Sequence, residues 1–255
     1  MLKKHNNMIL RRSIVAVLLL ALSATGFAGD DLLYKAIRQG DLGMIRSLIT
    51  TAEDINTQDH TGKNALMVCA KAGDRELVAQ LLAQGADPHS SNNNGGTPLM
   101  FAAISGDVEI IQLLLERKVK VNLRGSNGWG ALMIAAAKGH LPATRLLLEA
   151  NADVNTRDVY LWTPLHRAAY ENREAVVAEL LDHGDTDPNA IDDQGATALH
   201  HAAAQGHSSV AVMLLKRGAT LNKGDSEGRT PVQYASEKGH VQLVKLLKQS
   251  ASQVN

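Results

Sequence analysis

Apolar side chains fall along this chain in short helical runs that stop and restart at a fixed interval. In Val108-Glu109-Ile110-Ile111-Gln112-Leu113-Leu114-Leu115 they lie three and four residues apart, which sets them on one face of a helix. A shorter helix opens each unit, as in Thr163-Pro164-Leu165-His166-Arg167-Ala168-Ala169. There the threonine suits an N-cap, the proline suits the first helical position, and Leu165, Ala168 and Ala169 make a narrow apolar face. Alanines of this kind let neighbouring helices approach closely. Gly85, Gly184 and Gly218 stand where a helix C-terminus needs a left-handed residue. Polar stretches such as 89–96 and 192–196 read as tight turns projecting between helix pairs.

The unit repeats with almost no slip. With the threonine as marker, the equivalent positions are Asn64, Thr97, Gly130, Thr163, Thr197 and Thr230, spaced 33, 33, 33, 34 and 33 residues. The turn Gly73-Asp74 recurs as Gly106-Asp107, Gly139-His140, Asn172-Arg173, Gly206-His207 and Gly239-His240. Gly40-Asp41, behind a degenerate opening at 31–37, adds a first unit and makes seven. The one-residue insertion at Gly184-Asp185-Thr186-Asp187 falls in a connection and should bulge at the surface. A period of this length means a stack of supersecondary units, none of which buries its apolar face alone. Residues 29–255 are therefore predicted to be one cooperative all-α solenoid, with repeats beginning near 31, 64, 97, 130, 163, 197 and 230 and no internal domain boundary. Its ends are atypical: Lys35, Arg38 and Gln39 in the first unit and Gln242, Lys245, Lys248 and Gln249 in the last are polar where an inner unit would be covered.

The phrase Thr-Pro-Leu-His-x-Ala-Ala at 163–169, the related 197–203, the following Gly-His, the leucine-rich run and a Gly-Ala-Asp turn such as 85–87 together resemble the ankyrin repeat, over about residues 30–250. Asn64-Ala65-Leu66-Met67 and Gly130-Ala131-Leu132-Met133 keep the phrase more loosely. The resemblance implies an ankyrin array of about seven helix-turn-helix repeats with β-hairpin fingers. It also implies that partners are held on the concave side, by fingertips and the exposed parts of the inner helices.

Ahead of the array lies a segment of different character. Lys3, Lys4, Arg11 and Arg12 precede the apolar stretch 14–22, and small residues follow at 23–28. This is the order of a secretory signal peptide, here 1–28 with cleavage after Ala28, and the apolar stretch is well short of the roughly 20 residues a membrane span needs. Once it is cleaved, no stable membrane insertion is expected. The whole chain balances 26 basic against 26 acidic residues, and without the leader 22 basic residues face 26 acidic ones. A slightly acidic array is a poor partner for nucleic acid. Cys69 is the only cysteine, so no intramolecular disulfide can form, and it takes the place of Ala102, Ala135 and Ala168 in other units as a small core residue. With no Asn-x-Ser/Thr sequon either, the expected location is the bacterial periplasm, with secretion as the alternative.

Little in the chain points to chemistry. His166 and His200 are repeat equivalents in which the family histidine orders the turn, and His140, His207 and His240 share the Gly-His turn. Equivalent atoms in stacked helices stand roughly 8–10 Å apart, too far for two imidazoles on one zinc. Gly125-Ser126-Asn127-Gly128-Trp129-Gly130 reverses the glycine order of a phosphate loop and sits in a finger. Asp192 and Asp193 are read as carboxylates on an exposed turn. The chain is therefore read as non-enzymatic, with no cofactor, no metal and no catalytic residues; a secreted effector or an enzyme with an unrecognised active site is the competing reading.

The binding face follows from repeat phase, at four, three and one positions before the marker and seven and eight after it. In the fifth repeat these are Val159, Tyr160, Trp162, Tyr170 and Glu171; in the fourth they include Asn127, Trp129 and Lys138. Asn93 and Asn94 supply the third repeat, and Asp193 and Gln194 the sixth. Of seven aromatics after the leader, Trp129, Tyr160, Trp162 and Tyr170 share this face in two adjacent repeats, which suits anchors of a protein interface. The alternative is that they pack on one another and stiffen the fingers, since Leu161 replaces the usual glycine there. The expected function is a monomeric scaffold whose partner is another protein, such as an envelope enzyme or a toxin.

Overall fold

The computed structural model describes residues 28–49 and 55–252. Of the predicted leader, 1–28, residues 1–27 lie outside them. Fourteen helices follow one another in seven antiparallel pairs among the described residues. The inner helices are α1 (Ala28–Gln39), α3 (Ala65–Ala72), α5 (Pro98–Ser105), α7 (Ala131–Lys138), α9 (Pro164–Tyr170), α11 (Ala198–Gln205) and α13 (Pro231–Glu237). The outer helices are α2 (Leu42–Leu48), α4 (Arg75–Ala83), α6 (Val108–Glu116), α8 (Leu141–Glu149), α10 (Glu174–Asp182), α12 (Ser208–Lys216) and α14 (Val241–Ser252). Each inner helix packs on the next inner one and on its own outer partner.

Alanine makes that spacing possible. Ala102, Ala103, Ala135, Ala136, Ala168, Ala169, Ala202 and Ala203 are all fully buried between inner helices, and Cys69 occupies the same layer. The outer helices fill the space behind them with Leu77, Leu81, Ile110, Leu114, Leu147, Val177, Leu180, Val210 and Leu214, each without exposed surface. A helix of seven to nine residues is too short to persist in isolation, so these segments owe their stability to this shared core.

The ends of the helices are secured in two ways along the array. Asp41, Asp74 and Asp107 cap α2, α4 and α6, each accepting a backbone N–H from Met44, Leu77 and Ile110 at 2.9–3.0 Å. From α8 onward the capping position carries His140, Arg173, His207 or His240, and the side chain reaches back a whole repeat instead. These donate to the carbonyls of Ile104, Ala137, Tyr170 and Ala204 at 3.0–3.1 Å. Gly85 and Gly218 adopt the left-handed backbone expected of them, at φ of 92° and 89°. Gly184 does not: the inserted residue lets α10 end on an extended His183 at φ −74°.

The connecting turns are hairpins without strands. In 158–162 the Asp158 N–H donates to the Trp162 carbonyl at 3.0 Å, and each finger is tied to the next by one backbone bond such as Ser126 N–H to Asn94 C=O at 2.8 Å, with side-chain ties such as Asn93 to the His60 carbonyl beside it. The resemblance implied β-hairpin fingers, but among the described residues the Gln58–Asn64 contact is the one isolated bridge. The reason lies at the finger base, where the Asp158 carboxylate accepts the N–H groups of both Tyr160 and Trp162 at 2.9 Å. Asp59, Asn92, Asp192 and Asp225 do the same in their own fingers. Donors that a strand ladder needs are consumed by a side chain.

Candidate functional site

Two positions in each repeat meet where a finger joins its inner helix. One is the finger-base residue, Asp or Asn except for Gly125 in the fourth repeat; the other lies nine residues later on the helix. In the last three repeats the second residue is polar and closes onto the first. Arg167 pairs with Asp158, the His201 Nε2 contacts Asp192 at 2.7 Å, and the Tyr234 hydroxyl donates to Asp225 at 2.7 Å. In the second, third and fourth repeats the same position holds Val68, Phe101 and Ile134, opposite Asp59, Asn92 and Gly125. The inner face therefore changes character along the array, from apolar to a ladder of charged and aromatic groups.

Burial fixes the electrostatics of that ladder. The Asp158 side chain is fully buried and that of Arg167 is 19% exposed. Burial alone would raise the Asp192 and Asp225 carboxyls, but hydrogen bonds overcome it: His201 and two backbone N–H groups lower Asp192, and Tyr234 and Arg229 hold Asp225 at about 2. Asp192 is thus a buried structural carboxylate, 3% exposed, not the exposed turn residue expected from sequence. Burial and the Asp225 contact push the Tyr234 phenol up to about 12.

The family histidines work as caps and as ties. His166 Nδ1 accepts from the Thr163 N–H at 3.2 Å while Nε2 donates to the Ala196 carbonyl of the next finger at 3.3 Å. His200 repeats this with the Thr197 N–H at 3.0 Å and the Arg229 carbonyl at 3.1 Å. Both are neutral rings by necessity, and burial lowers His166 to about 4. In the last repeat Gln233 supplies the same acceptor to the Thr230 N–H at 2.7 Å.

The aromatics expected on the binding face divide into two groups. Trp129, Trp162 and Tyr170 converge: the Arg167 guanidinium lies over both indoles, 4.7 Å and 4.2 Å from their centroids, with Trp162 5.5 Å from Tyr170 and 4.1 Å from the His201 ring. These indoles are half-buried and bind their fingers to the helices through Arg167, a residue outside the five face positions counted from sequence. The recurring nine-residue spacing of Asp158/Arg167, Asp192/His201 and Asp225/Tyr234 was the signal available for it. Val159 and Tyr160 stand apart at the fingertip, each 58% exposed, beside Leu161 at a left-handed φ of 59°. Asp193, Gln194, Asn93 and Asn94 are exposed on neighbouring fingertips, and Glu171 is exposed at the end of α9 within 3.8 Å of Arg173.

Where the ladder gives way to apolar residues a groove opens, of about 630 Å³. Phe101, Ile104 and Ile134 form its floor, Trp129 one end, Asn92, Asn94, Ser126 and Asn127 the finger wall, and Lys71 and Lys138 the helix side. Among the described residues no three His, Cys, Asp or Glu side chains stand close enough to hold a metal ion. Among the same residues no helix is long and apolar enough to cross a membrane.

Comparison with known proteins agrees with this architecture. The family model described as ankyrin repeats (3 copies) matches residues 13–92, 33–125, 66–158, 118–192 and 165–255. The crystal structure of the human ASB11 ankyrin repeat domain superposes with a TM-score of 0.75 at 27% identity, covering 84% of this chain and 96% of that one. Human diacylglycerol kinase iota is 38% identical over 85 residues, 32% of this chain and 8% of the kinase. Mouse Rabankyrin-5 is 36% identical over 100 residues, 34% of this chain and 8% of its own. The similarity to these two proteins thus spans a small part of each.

Proposed function

This chain belongs to the ankyrin repeat family, and on that premise we propose that it is a non-enzymatic scaffold holding a partner protein against its fingers and inner helices, in the bacterial periplasm. The observation that carries the reading is the groove of the second to fourth repeats: an apolar floor left uncovered within a fold generally used for protein interaction. The outer helices turn Arg75, Glu109, Arg145 and Lys216 to solvent, and the concavities described between them, of about 310 and 420 Å³, are smaller and each bears at least one acidic residue. The export half of the proposal rests on the basic, apolar and small-residue order of 3–28.

A photo-crosslinking residue placed in living bacteria at Asn94 or Lys138, and for contrast at Glu109 or Lys216, tests the surface. Adducts to one protein from the first pair alone support the scaffold; adducts from the outer pair alone, or none, count against it. N-terminal sequencing of periplasmic protein tests export, with a start near Gly29 expected and intact Met1 in the cytoplasm contrary to it.

A further inference from the structure

We infer that the groove of the second to fourth repeats selects an extended segment carrying a bulky apolar side chain flanked by carboxylates. The inference rests on the scaffold reading above and adds the chemistry of what is held. Phe101, Ile104 and Ile134 give the floor, which takes an apolar side chain out of water. Lys71 and Lys138 are exposed on its helix side, neither makes an ion pair among the described residues, and no acidic residue lines the groove. The nearest provision for charge is therefore entirely cationic, and it calls for anions on the ligand.

The opposite wall explains why the ligand is a peptide. Asn127 uses its Oδ1 to accept the Trp129 N–H at 3.0 Å, which leaves its amide N–H₂ donors without a partner among the described residues. The Asn94 side chain has no partner among the described residues, although its backbone carbonyl is taken by Ser126. Two such amides lining the groove beside an apolar floor match the carbonyls of an extended main chain. The cationic groups and the amides lie on opposite sides of the floor, so one segment can engage all three at once. The change of face after the fourth repeat also ends the groove: Arg167, stacked on Trp129 and paired to Asp158, replaces the apolar floor residue and closes that side.

Fluorescence anisotropy on the intact array tests the selection. The probes are two labelled synthetic peptides of equal length with a central Leu-Phe, one flanked by glutamates and one by lysines. The glutamate peptide is expected to bind at least about tenfold tighter at low salt, with the margin shrinking as ionic strength rises. In K71E/K138E the preference should invert, and in I134E, checked for an unchanged fold by circular dichroism, both peptides should lose binding. Equal binding of the two peptides, no binding of either, or indifference to the charge reversal overturns the inference. Crosslinks at Asn94 and Lys138 in cells together with any of those results would remove the chemistry assigned to the groove and leave the scaffold reading standing; peptide selection without such crosslinks would do the reverse.

Discussion

Arg167 offers the sharpest test of how the inner face is built, because the chain contains its own control. The guanidinium neutralises a fully buried Asp158 carboxylate and lies over two indoles at once. Arg167→Phe keeps a flat group between Trp129 and Trp162 but strands the carboxylate. Removing one partner of a buried pair costs about 3–5 kcal/mol; Arg167 is 19% exposed, so water can reach part of the site and roughly 2–3 kcal/mol is expected. The third repeat shows the neutral solution, with Asn92 at the finger base, Phe101 on the helix, and the Asn92 Oδ1 accepting the Asn94 and Gly96 N–H groups at 3.0 Å and 2.7 Å. D158N/R167F copies that pair and should return to within about 1 kcal/mol of the parent, a recovery of roughly 1–2 kcal/mol over R167F alone. Urea unfolding followed by tryptophan fluorescence is well suited, since both tryptophans of the chain belong to the stack. A cost below about 0.5 kcal/mol for R167F, or a double variant no better than the single one, would refute the reasoning.

Burial holds His166 at about 4 in the folded chain against an ordinary 6.5, so the unfolded chain takes up a proton first and stability falls as pH drops between those values, by about 3 kcal/mol in total. H166Q, which copies the Gln233 cap of the last repeat, should flatten that slope in denaturant titrations across the same window; an unchanged slope contradicts it. A Cβ at Gly128 would stand 2.6 Å from the Asp158 Cα at a φ of +81°, whereas one at Gly228 meets nothing within 4 Å at +75°. G128A should therefore cost at least about 2 kcal/mol and G228A about 1 kcal/mol, compared by thermal melting. Cys69 is fully buried and its thiol is pushed up to about 12 by that burial, so a thiol reagent near neutral pH should react with the unfolded chain and leave the native array unlabelled; rapid labelling of native protein would show that the inner layer opens.

The repeat architecture was legible because its signals are local. Thr163, Pro164 and Gly206 act within a few residues of themselves, and the alanine layer reads directly from the phrase that contains it. The insertion was harder: Gly184 looks like Gly85 in sequence, yet one extra residue relieves the chain of the left-handed turn. The inner face was legible only in part. Trp129 and Trp162 fell on it by repeat phase, but Arg167, His201 and Tyr234 occupy one helical position whose partner lies across a turn, and in three other repeats that position is Val68, Phe101 or Ile134. Averaging over repeats hides such a switch, as it hid the burial of Asp192.

Hydrogen–deuterium exchange of the array, alone and with the protein crosslinked through Asn94 or Lys138, tests the central claim most directly. The account predicts slowed exchange confined to the fingers at 92–96 and 125–129 and to α5 and α7, with α6 and α8 unchanged. Protection confined to the outer helices, or spread evenly over all seven repeats, would contradict it.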